Sequence, residues 1–412
     1  MTSGVTTGVL GGRWRATVTP WGGIHPWADR GDTPPALEWH VAADDRWHSP
    51  EREAAVRQTR VEGTAVVETR LRIPNGDAIQ RVYTVYDDGG LTVIEVENAS
   101  PLPIVVAFTH GALRSVRAPS APIEGIQLPE GSVAFPVGHH ATLTVALPHD
   151  GRAGSLPSSL PPLAQVVRGW LGMVERASRL LLPDEELSER IVAERCELAL
   201  GGPVHFDDDP VAFLLGVGQL ARMGEKAGPW LPDVAHAVEL AARNSPRDWA
   251  LAAALDAAAT VIRNAGDDLA AKDLATLRRS LAVDRELPAA EPTDPARAIT
   301  WAELRLAAPT ADGVALLPLG LPAGWEGNNF EAYGLPNGHG GTASFAVRWH
   351  GERPAVLWEQ TGAPVTVSSP SLAPQWSSAD AKGETLWPAP VGVPTLPPEG
   401  EPVLPPEGGS FS

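Results

Sequence analysis

Residues 163–182 read LAQVVRGWLGMVERASRLLL, and at this point the chain changes its period. Before it lie short segments rich in Val, Ile, Thr and Tyr, cut by turn residues, as in strands and hairpins. From it to about residue 282 the apolar residues recur at helical spacing. The upstream strand candidates are TAVVETRLRI, DAIQRVYTVYD, GLTVIEVENA, LPIVVAFTH and ATLTVALP, with PNGD and DDGG as turns. In IQRVYTVYD, Ile79, Arg81, Tyr83 and Val85 alternate against Gln80, Val82, Thr84 and Tyr86. Both faces are partly apolar, which predicts a strand covered on both sides. Residues 12–150 are therefore expected to form an antiparallel β-sandwich.

Downstream, residues 161–283 hold six helical stretches joined by short connections, which predicts an α/α domain of antiparallel hairpins. PDEEL places acids at a helix start, where the positive end of the helix dipole favours them. DDPVAFLLGVGQLARMG offers Asp209 as N-cap and Pro210 in the first turn. This helix is apolar nearly all round, so it should be the most buried, with Gly216 and Gly218 marking close helix contacts. SPRDWALAAALDAAATVIRN predicts a start at Ser245, with Pro246 next and Asp248 at the third position. Its buried face should be Leu251, Leu255, Ala258 and Ile262. After the linker PAAEPTDPAR the β period returns in TWAELRLAAP, GVALLPLGL, TASFAVRWHG, RPAVLWEQTG and PVTVSSPSL, predicting a small β domain over 299–387. In SFAVRWH, Phe345, Val347 and Trp349 should form the packed face. Residues 388–412 contain LPPEG twice and little to bury, so a disordered, polyproline-II tail is expected. The fold class is thus multidomain α+β.

The chain has 412 residues and a formal charge of −18. Such a field repels phosphate backbones and anionic lipid, so neither nucleic acid nor a membrane is expected as partner. No run of 18 apolar residues occurs, and the N-terminus lacks the pattern of a secretory leader, so a cytoplasmic location is expected. The single Cys196 lies beside an apolar helical face and reads as a buried structural thiol. GxGxxG after a strand, GxxxxGK[ST], HExxH, CxxC and GxSxG are all missing, and no cofactor is expected. His139–His140 is a poor metal pair because neighbours in a strand point oppositely. His25, His40 and His48 are interleaved with acids and would make a site only in three dimensions. HFDDDP, residues 205–210, lacks the alternation and glycine of a calcium loop, so no metal site is expected there. With Asp209 used as a cap, Asp207 and Asp208 remain as candidate ligand-side carboxylates.

Of 14 Trp, five fall at 14, 21, 27, 39 and 47 and five at 301, 325, 349, 358 and 376. Most should fill cores. Trp21 and Trp27, however, sit in the Gly/Pro-marked segment RWRATVTPWGGIHPWADRGD, where a large ring is harder to bury. Indole faces stack on sugar rings and carboxylates accept from sugar hydroxyls, so these two point to a carbohydrate surface. The stretch GWEGNNFEAYGLPNGHGG, residues 324–341, adds Trp325 as a further candidate ring. It also holds Glu326 and Glu331, the candidate acid/base pair. Glycoside hydrolysis needs two carboxyl groups roughly 5 to 9 Å apart, and a loop this rich in Gly and Asn permits many geometries. An ordinary inter-strand loop is the competing reading.

The order of β-sandwich, helical hairpins and small β unit resembles that of the glucoamylase-like and disaccharide-phosphorylase-like proteins built on an α/α toroid. The resemblance implies a glycoside hydrolase-like ancestry. It rests on domain order over residues 12–387, with no catalytic motif of those families matched, and the helices here are about half those of a full toroid. FEAYGLP and SFAVRWHGERPAVLWEQTG also look like the closing β region of actinobacterial proteins of unassigned activity. Two functions are carried forward: a non-catalytic protein that binds a carbohydrate or a protein partner, and a glycosidase-like enzyme using a carboxylate pair. The Pro-rich tail is a candidate ligand for a groove-bearing partner.

Overall fold

The structure is a computed structural model that describes residues 4–27, 35–110, 112–120, 123–152 and 154–390. The expected Pro-rich tail falls, from residue 391 onward, outside the described residues. The chain is multidomain α+β and divides into two compact units, residues 1–177 with 186–300, and residues 178–185 with 301–412. The helical residues 186–280 fall in the same unit as the N-terminal sandwich, and the boundary between the units cuts the helix Pro295–Leu306 after Thr300. Among the described residues no helix is long and apolar enough to cross a membrane.

The sandwich packs a six-stranded antiparallel sheet against a face made of two smaller sheets. The six strands include Val67–Ile73, Gly76–Val85, Leu91–Asn98 and Thr142–Pro148. Opposite them, Val5–Gly8, Arg15–Val18 and Ile24–Pro26 form one small sheet. An Ile24–Leu37 bridge leads on to the strands Trp39–Ala42 and Ile104–Phe108 of the next. Period-two alternation sorts the side chains. Val82, Ile94 and Val96 enter the sandwich core with Val18, Ile24, Trp39 and Phe108. Tyr83, Val85, Leu91 and Val93 point the other way, into a second core shared with Val167, Trp170 and Val174. The central strands are thus covered on both sides, as the mixed alternation of IQRVYTVYD predicts.

Among the described residues seven α-helices follow: α1 (Leu163–Val174), α2 (Glu185–Gly201), α3 (Pro210–Met223), α4 (Leu231–Asn244), α5 (Trp249–Ala265), α6 (Asp268–Ser280) and α7 (Pro295–Leu306). Helix α3 begins where expected. Asp209 accepts from the Ala212 amide at 2.9 Å, Pro210 occupies the first turn, and Gly224 ends the helix in the left-handed region. Twelve of its fourteen residues are buried. Gly218 is a true contact glycine, since a Cβ there would lie 2.6 Å from the Ala257 Cβ on α5. On α5, Leu251, Leu255, Ala258 and Ile262 are all buried.

Three expectations need correction. The cap of α5 is Asp248, whose Oδ1 accepts from Ala250 and Leu251, while Ser245 closes α4. One carboxylate receiving two amides outcompetes a hydroxyl further upstream. TWAELRLAAP is helical through Leu306, because Asp294 caps α7 through the Arg297 amide at 2.9 Å and Pro295 starts it; only Ala307–Pro309 is extended. At the other end of the helical region, the close of LAQVVRGWLGMVERASRLLL leaves the helix and forms the strand Arg179–Leu181.

That strand belongs to the second unit, where it pairs with Phe330–Pro336. Thr342–His350, Arg353–Thr361 and Lys382–Leu386 complete this five-stranded sheet. A second sheet of four strands contains the parallel pair Gly313–Leu316 and Thr366–Ser369. Phe345 and Val347 are buried as the alternation predicts, and Trp349 is half-buried.

In the first unit His149 stacks on Trp14 with ring centroids 3.9 Å apart, and its Nε2 lies 3.0 Å from the Thr92 hydroxyl. Burial pushes its pKa down from the ordinary 6.5 to about 4. Between these values the unfolded chain binds the proton that the folded chain refuses, so stability rises with pH. The contribution is fully present above pH 6.5 and is lost as pH falls through about 4. Allowing for partial solvent screening it amounts to about 2 kcal/mol. Urea unfolding at pH 7 and pH 4.5 should show this loss, and His149→Gln should remove that share of the pH dependence. An unchanged pH dependence in the variant would refute the assignment.

Candidate functional site

The outer face of the first small sheet gathers several of the candidate residues. Because Ala16, Val18 and Ile24 point into the core, Thr17 and His25 of this sheet stand on the opposite face, and in the adjoining sheet His40 does so between the buried Trp39 and Val41. The strands Arg15–Val18 and Ile24–Pro26 are joined by a tight turn in which the Gly22 amide donates to the Thr19 carbonyl at 2.8 Å. Gly22 has φ +89°, and a Cβ there would meet Gln80 Oε1 at 2.2 Å, so glycine is required on both counts. The turn carries Trp21. Its carbonyl accepts from Trp39 Nε1 at 2.8 Å, which ties the exposed turn to the buried core.

Glu38 is the hub. One oxygen accepts from Trp21 Nε1 at 2.9 Å and the other lies 2.7 Å from His25 Nε2. Its own amide donates to the Thr109 hydroxyl at 2.9 Å. Gly23 allows the approach, since a Cβ there would sit 2.3 Å from the carboxylate. Trp27, two residues past His25, donates Nε1 to Thr17 Oγ1 at 2.8 Å and keeps 45% of its surface exposed. Both indole N–H groups are spent on the protein. The rings are therefore oriented, and Trp27 stays exposed on Thr17, whose partner across the sheet, His25, meets the half-buried Glu38 carboxylate. The rest of the face is polar: His40 Nδ1 lies 3.0 Å from the Ser49 hydroxyl, and its pKa is lowered by burial and then by Arg52.

Glu38 was not among the sequence candidates. Its signal was present in LEWH, where Trp39 and Val41 alternate inward, but a short strand with one carboxylate resembles many others. Two of the three interleaved histidines find acids. Besides His25 with Glu38, His48 Nε2 is 2.9 Å from Asp45 and its Nδ1 is 3.2 Å from Glu53, which also pairs with Arg46. Among the described residues no cluster of His, Cys, Asp and Glu has the arrangement to hold a metal.

The remaining candidates lie elsewhere. Trp325 is 5% exposed and packs edge-on against Phe330 at 5.0 Å, so it is a core residue and offers no ring face to a ligand. Glu326 is exposed in the following turn and accepts from the Gly324 amide at 3.1 Å. Glu331 stands on the strand Phe330–Pro336 and is bonded to the Tyr333 hydroxyl and to Arg348. These two hold its carboxyl below the usual carboxylate range, the opposite of what a general acid needs. Asp207 and Asp208 are exposed in the turn before α3, where Asp207 pairs with His205. They belong to the first unit, Glu326 and Glu331 to the second. Cys196 is fully buried and its thiol is pushed up to about 12, chiefly by burial, which makes it inert.

Glu194, on α2, is a second carboxyl that sequence reasoning overlooked. It lines a cleft of about 350 Å³ with Ile191, Ile299 and the Arg190–Glu291 ion pair, and burial raises its pKa. No protein-family model and no curated protein sequence matches this chain.

Proposed function

We propose that the chain is a non-catalytic binding protein whose first small sheet recognises a carbohydrate through Trp27, Trp21, His25 and Glu38. The observation that carries this reading is the exposed Trp27 ring, pinned by Thr17 beside the Trp21–Glu38–His25 cluster. An exposed indole face supplies the stacking surface for a pyranose ring, and an oriented carboxylate and imidazole accept from and donate to its hydroxyls. Such a patch needs no cleft. A glycoside hydrolase-like architecture stripped of its acid/base pair, in a cytoplasmic protein, is part of the same proposal. It is supported by the ion-paired state of Glu331.

The test is a glycan array followed by calorimetry on the sugars retained. Trp27→Ala and Glu38→Gln should each weaken binding by about tenfold, the effect of losing an aromatic contact or a charge-assisted hydrogen bond. Both substitutions are at or near the surface, so the unfolding midpoint should hardly move. Hydrolysis of the same glycans should be undetectable. Turnover that disappears in Glu326→Gln or Glu331→Gln would restore the enzyme reading. If no glycan is retained, the carbohydrate reading falls and a protein partner takes its place.

A further inference from the structure

A second cleft lies in the first unit, where α1, α2 and α3 end. It encloses about 570 Å³, within the range of small-molecule sites. Met173, Leu198, Leu220, Met223 and Trp230 give it an apolar lining. Much of the rim is glycine: Gly11, Gly201 and Gly202 are each so open that an added Cβ would touch nothing within 4 Å. Methionine and glycine together make a wall that can adapt and a mouth that admits a chain.

The polar groups at this mouth are unequal. The helix C-termini would ordinarily favour a cation, but four of their carbonyls are already occupied. Leu198 O accepts from Gly202, Leu200 O from Arg15, Leu220 O from Glu225 and Ala221 O from Gly224. Glu225, the acid of the lining, accepts from Trp230 Nε1 at 3.0 Å. Arg176 differs. Its guanidinium lines the cleft beside Gly224, where a Cβ would come within 3.2 Å of Nη1. Among the described residues it has no hydrogen-bond or ion-pair partner. In a chain with a formal charge of −18 and 50 acidic residues, an unpaired arginine at the lip of an apolar cleft stands out.

We propose that this cleft binds an amphipathic carboxylate, a medium-chain acyl acid. Its hydrocarbon lies on Met173, Leu198, Leu220 and Met223, and its carboxylate meets Arg176. The fork of the guanidinium suits a carboxylate bidentately, and the apolar floor rewards burial of each methylene. The site is separate from the sheet face that carries Trp27, and neither reading depends on the other.

Decanoate is the probe, titrated by calorimetry into the full chain below its aggregation concentration. Saturable one-to-one binding is expected, with 1-decanol and decyltrimethylammonium at least roughly tenfold weaker, the scale of one charge-assisted contact. Arg176→Gln should weaken decanoate by roughly ten- to a hundredfold and leave decanol unchanged. Gly201→Trp, at an open position on the last turn of α2, should block both ligands without unfolding the protein. Decanoate that fails to saturate overturns the proposal. So does equal affinity for Arg176→Gln and wild type, or a cationic amphiphile that binds as tightly as decanoate.

Discussion

Trp39→Ala should destabilise the first unit by about 4 kcal/mol, the middle of the range for emptying a buried aromatic site. The side chain is 1% exposed and fills the sandwich core among Val18, Ile24, Val41 and Phe108. Its removal forfeits the transfer energy of a large ring and leaves a cavity between two hydrogen-bonded sheets, which cannot collapse without breaking their registers. A second loss is local. Trp39 Nε1 holds the Trp21 carbonyl at 2.8 Å, so the turn carrying Trp21 loses its tie to the core. Equilibrium unfolding in urea measures the first effect, and glycan binding well below the unfolding midpoint measures the second. Trp39→Phe separates them: it restores most of the packing but not the hydrogen bond. It should recover most of the stability while binding remains weakened. A loss under about 1 kcal/mol in the alanine variant would mean that the core repacks and that the ring is not the keystone inferred here.

Gly218→Val should cost about 3 kcal/mol, the upper end for inserting methyl groups into a packed core. The new Cβ would sit 2.6 Å from the Cβ and 3.2 Å from the Cα of Ala257. Because a backbone atom is involved, no rotamer change relieves the contact, and α3 must move off α5. Most of α3 is buried, so that movement opens the centre of the helical layer. Helix propensity works in the other direction, since Val is a better helix former than Gly, but by well under 1 kcal/mol. Ala257→Gly removes the atom struck. Combined with Gly218→Val it should recover more than the sum of the single effects predicts, and that coupling is the signature of direct contact. Additive effects would show that the strain lies elsewhere.

The amino-acid order alone determined those features whose physics is local. Asp209 and Pro210 started α3 as predicted, because a cap and a first-turn proline act within four residues. The alternation in IQRVYTVYD identified a strand covered on both faces for the same reason: the period of two belongs to the backbone. The bareness of Gly218 followed from an apolar helix that had to be enclosed, and the burial of Cys196 from its place beside the apolar face of α2.

Where two local signals conflicted, tertiary structure chose. SPRD offers both Ser245 and Asp248 as caps, and the two amides at Asp248 decided it. In TWAELRLAAP the residues Ala302, Leu304 and Leu306 alternate like a strand, yet the Asp294 cap carried a helix through them. Arg297 of that helix then pairs with Asp209 at 2.7 Å, an ion pair across 88 residues that no window could reveal. The candidate site divides the same way. Composition marked Trp21 and Trp27 as rings in a segment with little core to enter. Trp325 carried the same mark, and only its packing against Phe330 showed it to be core. Glu38 reached Trp21 and His25 because one strand lies beside a neighbouring turn, a proximity set by sheet register over 17 and 13 residues. Arg176 gained its meaning from three helix ends meeting around it. Spacing along a chain encodes what neighbours do to one another, whereas a site is made of residues that packing brings together from far apart.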